Sequence, residues 1–157
     1  MTYAEFIQSK KPLAQLSGFK PTTPPHPSLK AHQADIALWM AAGGRRACFM
    51  SFGLGKTRTH IQVAVWICQK DPRKYLIIAP LGVRYVFMKE EGPAMGVEMT
   101  YCTTDAEVDA APTQIIITNY ERVRDGGINV TPDRFSGVGL DEAGVPVIAD
   151  GVEAADM

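Results

Sequence analysis

A glycine-rich stretch that leads into a lysine and a threonine is the part of the sequence best suited to chemistry. It reads FGLGKT, residues 52–57, and its glycines are Gly53 and Gly55. Glycines let backbone N–H groups approach phosphate oxygens closely, and a following helix N-terminus adds partial positive charge. In such a loop Lys56 reaches the β- and γ-phosphates and the Thr57 hydroxyl ligates Mg²⁺. The stretch therefore predicts a phosphate loop.

The match to the general phosphate-loop pattern is partial. GxxxxGK[ST] has a glycine where this chain has Met50, so a glycine-rich turn with a chance lysine is the alternative interpretation. The apolar run before the loop predicts a buried strand over 46–51, and the apolar stretch after it predicts a helix over 56–69. This order of strand, turn and helix favours nucleotide binding.

An acidic pair follows much later in the chain. Asp141 and Glu142 lie near the end of a weaker predicted strand, residues 135–143, in which Gly137 and Gly139 lower the strand propensity. A carboxylate at the end of a strand can hold Mg²⁺, and a glutamate after it can polarise an attacking water. Because ligands bind at the carboxyl ends of parallel strands, both motifs would share one sheet edge. The alternative is an exposed Asp-Glu pair in a loop.

The rest of the pattern indicates an α/β domain. Apolar runs that alternate with helical stretches predict a mainly parallel sheet flanked by helices on both faces. Further strands are predicted over 75–80, 97–102 and 114–120. Further helices are predicted from an N-cap at Ser28 to Gly43-Gly44 and over 83–91, and residues 103–113 are interpreted as a polar, acidic loop.

The ends of the chain differ from this core. Residues 1–20 look like a short amphipathic entry segment, and the proline-dense residues 20–27 cannot form regular structure. We therefore divide the chain into an extension and connector over 1–27, a domain over 28–143 and an atypical tail over 144–157.

Composition limits the classes of function. The chain has 157 residues, and 16 basic against 17 acidic side chains give a net charge of −1. No global field attracts nucleic acid, so nucleic-acid binding must use a local patch or a second domain. Three widely spaced cysteines, no signal peptide and no run of transmembrane length predict a cytoplasmic protein without a membrane partner. The lone His60 is expected to be structural or on the surface, and Trp39 and Trp66 are expected in the core.

The order of the motifs resembles a known family. The segment SLKAHQADIALWMAAGGRRACFMSFGLGKT resembles the front of superfamily-two helicases, most closely the Swi/Snf-type and phage DEAD/DEAH-box members. LIIAPLGV looks like motif Ia, IITNYERV like motif Ib and LDEA like the DExx box of motif II. The resemblance implies a RecA-like P-loop NTPase domain whose cofactors are ATP and Mg²⁺.

The resemblance also assigns roles to residues. It implies that Gln33 contacts adenine, and that the ATP-binding loop consists of Gly53, Leu54, Gly55, Lys56, Thr57 and Arg58. Lys56, Asp141 and Glu142 would be catalytic, with Thr57 and Asp141 holding the metal. Motifs Ia and Ib would contact the nucleic-acid backbone through Pro80, Leu81, Thr118, Asn119 and Tyr120. Strand-end and core positions are the alternative for these five, above all for Leu81 and Tyr120.

The chain departs from the family after Glu142. Family members place ATP between two RecA-like domains, and arginines of the second domain raise the hydrolysis rate by roughly 10³ to 10⁵. The expected partners are therefore nucleic acid, DNA in the first instance, and a second RecA-like domain in cis or in trans. We interpret residues 144–157 as a truncated or frameshifted tail and expect low activity from this chain alone. A non-catalytic nucleotide-binding remnant and a different P-loop enzyme, such as a small-molecule kinase, are the alternatives.

Overall fold

The sheet has a mainly parallel arrangement, as predicted. The computed structural model describes residues 1–10, 16–51, 53–141 and 145–148. In this part of the chain five strands form one sheet in the order β2-β3-β1-β4-β5. They are β1 Lys74–Ile78, β2 Met99–Tyr101, β3 Ile115–Thr118, β4 Phe135–Leu140 and β5 Val145–Ile148. Strands β1 to β4 pair in parallel, and β5 pairs antiparallel with β4.

Helical segments precede and connect the strands. They are α1 Tyr3–Lys10, α2 Ala31–Gly43, α3 Lys56–Lys70, α4 Gly92–Ala94, α5 Asp105–Ala110 and α6 Tyr120–Arg124. A 3-10 turn, Leu81–Val83, and a π-helical segment, Val86–Glu91, come before α4. Across the described ranges, none of the helices has both the length and the apolar character that a membrane span needs.

The core has two sides because the side chains of a strand alternate between the faces of the sheet. Tyr75 and Ile77 of β1 belong to a cluster with Trp66 of α3. Leu76, from the same strand, belongs to the opposite cluster with Val108 of α5. All five side chains are buried. Helices therefore cover both faces, which confirms the predicted fold class.

The strand ends that precede the candidate site lie in one row. Strand β1 is central, and its Ile78 is in register with Thr118 of β3 on one side and Leu140 of β4 on the other. The residues that follow these three positions therefore emerge at the same edge of the sheet, where parallel α/β sheets bind ligands.

Most of the predicted elements are confirmed within a few residues of their ends. The helix predicted over 56–69 is α3, and the strands predicted over 75–80, 97–102 and 114–120 are β1, β2 and β3. The predicted helix over 83–91 is helical, but it does not end at Gly92-Pro93, because the chain continues helically to Ala94.

The buried strand predicted over 46–51 is wrong. This segment forms no strand, and its Phe49 side chain is 88% exposed. A strand requires a hydrogen-bonded neighbour. Among the described strands, β4 already has β1 on one side and β5 on the other. The apolar run therefore has no free edge of β4 to join.

The polar loop predicted over 103–113 is also wrong, because residues 105–110 form helix α5. The Thr104 hydroxyl accepts a hydrogen bond from the Glu107 N–H at 3.3 Å, which caps the helix. Val108 anchors the helix in the core, while acidic Asp105 and Glu107 lie in the first turn, where the helix dipole favours them.

Helix α2 begins later than predicted. Its N-cap is Lys30, not Ser28, whose hydroxyl instead lies 2.8 Å from His26 Nδ1. Gln33 fixes this start, because its Oε1 accepts the Lys30 N–H at 2.9 Å. The predicted end at the glycine pair is confirmed. Trp39, expected in the core, is 50% exposed.

The proline-dense connector forms no helix or strand over 20–27, as predicted. It lies along α3, to which it is hydrogen-bonded. Trp66 Nε1 donates to the Thr23 carbonyl at 3.1 Å, and the His26 N–H donates to Gln62 Oε1 at 2.7 Å. Buried polar groups of α3 thereby obtain partners from the connector.

Candidate nucleotide site

The glycine-rich turn has a backbone conformation that glycine adopts readily. Gly53 and Gly55 have φ values of +81° and +84°, a region that side-chain-bearing residues rarely occupy. Gly55 is also the N-cap of α3. The first N–H groups of a helix lack intrahelical acceptors, so the start of α3 presents unpaired donors beside the turn.

Lys56 and Thr57 lie at the start of α3 and line an open cleft of about 580 Å³. This volume is within the range of small-molecule sites. Within residues 53–141, neither the Lys56 ammonium nor the Thr57 hydroxyl forms a hydrogen bond or an ion pair. Their polar atoms are therefore available to a ligand.

Asp141 lines the same cleft as Lys56. It follows β4 directly, and its N–H donates to the carbonyl of Ile78 at 2.9 Å. Asp141 and Lys56 line both the cleft and a smaller cavity beneath it. The structure thus brings Lys56, Thr57 and Asp141 together, while Glu142 lies outside the described residues.

Gln33 joins α2 to the glycine-rich turn. It is buried, and besides accepting the Lys30 N–H it donates from Nε2 to the Leu54 carbonyl at 3.0 Å. A Cβ atom at Gly55 would overlap Gln33 Nε2, so the close approach requires glycine there. An amide offers two N–H groups and two acceptor sites, so capacity for a ligand is left. The adenine contact stays a prediction.

Arg58 lines the cleft with its guanidinium already engaged. Nε forms an ion pair with Glu91 of the π-helical segment, and Nη1 donates to the Ser28 carbonyl at 3.3 Å. The side chain therefore holds the wall of the cleft together. Its contact with ATP remains a prediction, and no pattern in the sequence pointed to Glu91 as its partner.

The residues assigned to nucleic-acid contact separate into two groups. Pro80 is half-buried, Leu81 is 52% exposed and Tyr120 is 37% exposed. These three lie at the edge of the sheet where the strands end. They are placed where a ligand on the surface could contact them.

Thr118 and Asn119 are buried instead. The Thr118 hydroxyl donates to the Cys102 carbonyl at 2.8 Å, and Asn119 Oδ1 accepts from the Tyr101 hydroxyl at 2.9 Å. Their side chains fasten β3 to β2 at its end. The alternative role as strand-end residues therefore describes this pair better than direct contact with a phosphate backbone.

A buried histidine, His60, packs beside the site and has the structural role that was expected from the sequence. His60 Nε2 lies 3.1 Å from the Tyr75 hydroxyl, and the ring meets Phe87 edge-on. A Cβ atom at Gly139 would overlap the imidazole, so glycine at this point of β4 makes room for it. His60 lines the small cavity beneath Lys56 and is a residue whose buried partners only the tertiary structure shows.

Burial lowers the pKa of His60 to about 4, against an ordinary value near 6.5. Between about pH 4 and 6.5 the unfolded chain binds more protons at His60 than the folded chain does. The contribution of His60 to the free energy of unfolding is therefore complete above this window and is lost as the pH falls through it. We expect it to reach about 3 kcal/mol in the free energy of unfolding. Urea unfolding across pH 4 to 7.5 measures it.

Carboxylates titrate in the same window, so His60→Gln is the matched comparison. Glutamine can still donate to the Tyr75 hydroxyl but does not titrate. Its free energy of unfolding should depend less steeply on pH than that of the wild type. The same dependence in both proteins contradicts the assignment of the effect to His60.

The class of fold is an α/β domain similar to a helicase RecA-like domain, with a glycine-rich turn and an aspartate at one edge of the sheet. Among solved structures the chain is similar to the UvsW helicase from bacteriophage T4, with a TM-score of 0.59 and 14% sequence identity. The match covers 90% of this chain and 51% of the helicase chain, so the chain spans about half of that protein.

Comparisons by sequence add no further relative. No protein-family model matches the chain, and no curated protein matches it either. At 14% identity the likeness to the T4 helicase concerns the fold alone. Function must therefore be argued from the site.

Proposed function

We propose that the chain is the ATP-binding, first RecA-like domain of a nucleic-acid-dependent ATPase of the helicase type. The observation that carries the proposal is the shared cleft, which is lined by Lys56 and Thr57 at the start of α3 and by Asp141 at the end of β4. A cation, a hydroxyl and a carboxylate converge there beside a helix N-terminus. This set of groups suits a nucleoside triphosphate with its magnesium ion.

Each group has a chemical task in this proposal. The Lys56 ammonium binds the terminal phosphates, and the unpaired N–H groups at the start of α3 bind their oxygens. The hydroxyl of Thr57 and the carboxylate of Asp141 are the hard oxygen donors that Mg²⁺ prefers. The ion, when bound, neutralises phosphate charge during phosphoryl transfer. Glu142 is proposed as the residue that orients the attacking water.

Nucleic acid and a second RecA-like domain are the two partners of the proposed ATPase. The exposed rim of Pro80, Leu81 and Tyr120 adjoins the cleft at the same edge of the sheet. The T4 protein to which the fold is similar is a helicase, and this chain spans about half of it. We propose that nucleic acid lies across this rim, and that efficient hydrolysis requires arginines from the second domain.

Magnesium-dependent nucleotide binding tests the proposal. A fluorescent ATP analogue is titrated into the chain with Mg²⁺ and again with EDTA. We expect saturable binding that unlabelled ATP displaces, and about tenfold tighter binding with Mg²⁺, which is worth about 1.4 kcal/mol. The Asp141→Asn variant should lose most of this dependence on Mg²⁺, because an amide is a weaker ligand than a carboxylate.

Asp125→Asn is the matched control. Asp125 is an exposed carboxylate just after α6, paired with Arg124. Its replacement should leave the dependence on Mg²⁺ as in the wild type. Absence of saturable binding to the wild type refutes the proposed function, and an unchanged Asp141→Asn variant refutes the metal assignment alone.

A further inference from the structure

The side chain of Tyr120 belongs to the proposed nucleic-acid rim and also contacts the proposed nucleotide site. Tyr120 begins α6, immediately after β3, and its hydroxyl donates to the Asp141 carbonyl at 2.5 Å. Asp141 follows β4, which is separated from β3 by the central strand β1. Two strand spacings amount to about 10 Å. The tyrosine thus spans the width of three strands at the edge that faces the cleft.

This hydrogen bond fixes the backbone of Asp141 from a second side. The Asp141 N–H is held by the Ile78 carbonyl at the end of β1, and the Asp141 carbonyl is held by Tyr120. The same carbonyl belongs to the peptide bond that leads into Glu142. A displacement of the Tyr120 ring would therefore move the backbone that carries both proposed catalytic carboxylates.

Tyr120 is also partly accessible from outside. Tyr120 is 37% exposed, and the 52% exposed Leu81 lies at the same sheet edge, just after β1. An aromatic ring at such a surface is a suitable stacking or packing surface for a nucleic-acid base or sugar. A ligand on this rim would press on the ring whose hydroxyl holds Asp141.

We infer that Tyr120 is a positioning residue that couples nucleic-acid binding to the nucleotide site. The inference rests on the proposed function, because it connects the two ligands that the function requires. Nucleic acid bound on the rim fixes the position of the Tyr120 ring. Through its hydroxyl, the ring fixes the position of the Asp141 carbonyl. The position of this carbonyl in turn determines that of the Asp141 carboxylate, which lines the cleft with Lys56. Since coupling free energies are reciprocal, nucleotide should alter nucleic-acid affinity by the same factor.

A purely structural role for Tyr120 makes a different prediction. If the hydroxyl only ties α6 to the end of β4, its removal lowers stability and leaves the effect of one ligand on the other intact. The decisive quantity is therefore the ratio of nucleotide affinities with and without nucleic acid. Any general loss of nucleotide affinity cancels in that ratio.

The experiment titrates a fluorescent ATP analogue into the full chain with Mg²⁺, with and without saturating single-stranded oligothymidine. We expect the wild-type affinities to differ by about fivefold or more, within the usual range of coupling between sites. In the Tyr120→Phe variant, which keeps the ring and loses the hydroxyl, the ratio should fall to near one. Thermal unfolding of each variant confirms that it is folded.

Tyr85→Phe is the control, because Tyr85 is 61% exposed and its hydroxyl forms no hydrogen bond to any described residue. It should keep the wild-type ratio. A wild-type ratio of one, or a Tyr120→Phe variant with the full wild-type ratio, overturns the inference. Failure of the wild type to bind the analogue even without oligonucleotide is a separate result, and it overturns the proposed function itself.

Discussion

Replacement of Lys56 by alanine is expected to weaken binding of an ATP analogue by about 100-fold or more. A hydrogen bond to a charged partner contributes about 1.5–3 kcal/mol, and the lysine is expected to reach two phosphates. A 100-fold loss corresponds to about 2.7 kcal/mol. Because the Lys56 ammonium forms no hydrogen bond or ion pair within residues 53–141, its removal breaks none there, and the free energy of unfolding should change little.

Lys70→Ala provides the matched control for this prediction. Lys70 is the last residue of α3, so it has the same side chain on the same helix, at the end away from the cleft. Calorimetric titration of the three proteins under one set of conditions measures the affinities. Equal affinities for the wild type and Lys56→Ala would show that the glycine-rich turn is not a phosphate loop.

The strands and the loop are the parts of the fold that local sequence determines. YLIIAP and QIIITNY are short, continuous apolar runs, which is the pattern of strands buried on both faces of a parallel sheet. The spacing of Gly53, Gly55 and Lys56 places the lysine at a helix start by chain geometry alone. The position of Asp141 at the carboxyl end of a strand follows from the apolar run before it. These features required no knowledge of distant contacts.

The failures of prediction depend on contacts far apart in the chain. Residues 46–51 have a suitable composition for a strand, but a strand depends on a neighbour that local sequence does not specify. Helix α5 forms from acidic residues because Val108 docks into a core made by other elements. Short polar segments are the ones in which such an anchor decides the structure.

The contacts that support the candidate site could not be predicted from the sequence either. Arg58 with Glu91, and His60 with Tyr75, are 33 and 15 residues apart, and no spacing rule joins them. Each pair connects α3 to another element beside the predicted ligand groups. Motif spacing therefore predicted the residues that are proposed to bind nucleotide, while the contacts that hold them in place emerged only from the packing of α3 on the sheet.

The contact between Gly55 and Gln33 gives the second large expected effect. In Gly55→Ala, the left-handed backbone costs about 1–2 kcal/mol, and the new Cβ displaces Gln33 from its bonds to Lys30 and Leu54. With about 1 kcal/mol for each hydrogen bond, the free energy of unfolding should fall by about 3 kcal/mol. Binding of the ATP analogue should be lost, because the turn can no longer present its N–H groups.

Gly53→Ala separates the two causes. Gly53 has nearly the same φ, but a Cβ atom there meets no atom within 4 Å, so only the backbone cost applies and about 1–2 kcal/mol is expected. In the Gly55→Ala/Gln33→Ala double variant the overlap is absent, and the two changes should destabilise by less than their sum. Urea unfolding of these three variants and of Gln33→Ala measures this. Equal losses for Gly53→Ala and Gly55→Ala, with additive behaviour of the double variant, would mean that Gln33 does not hold the turn.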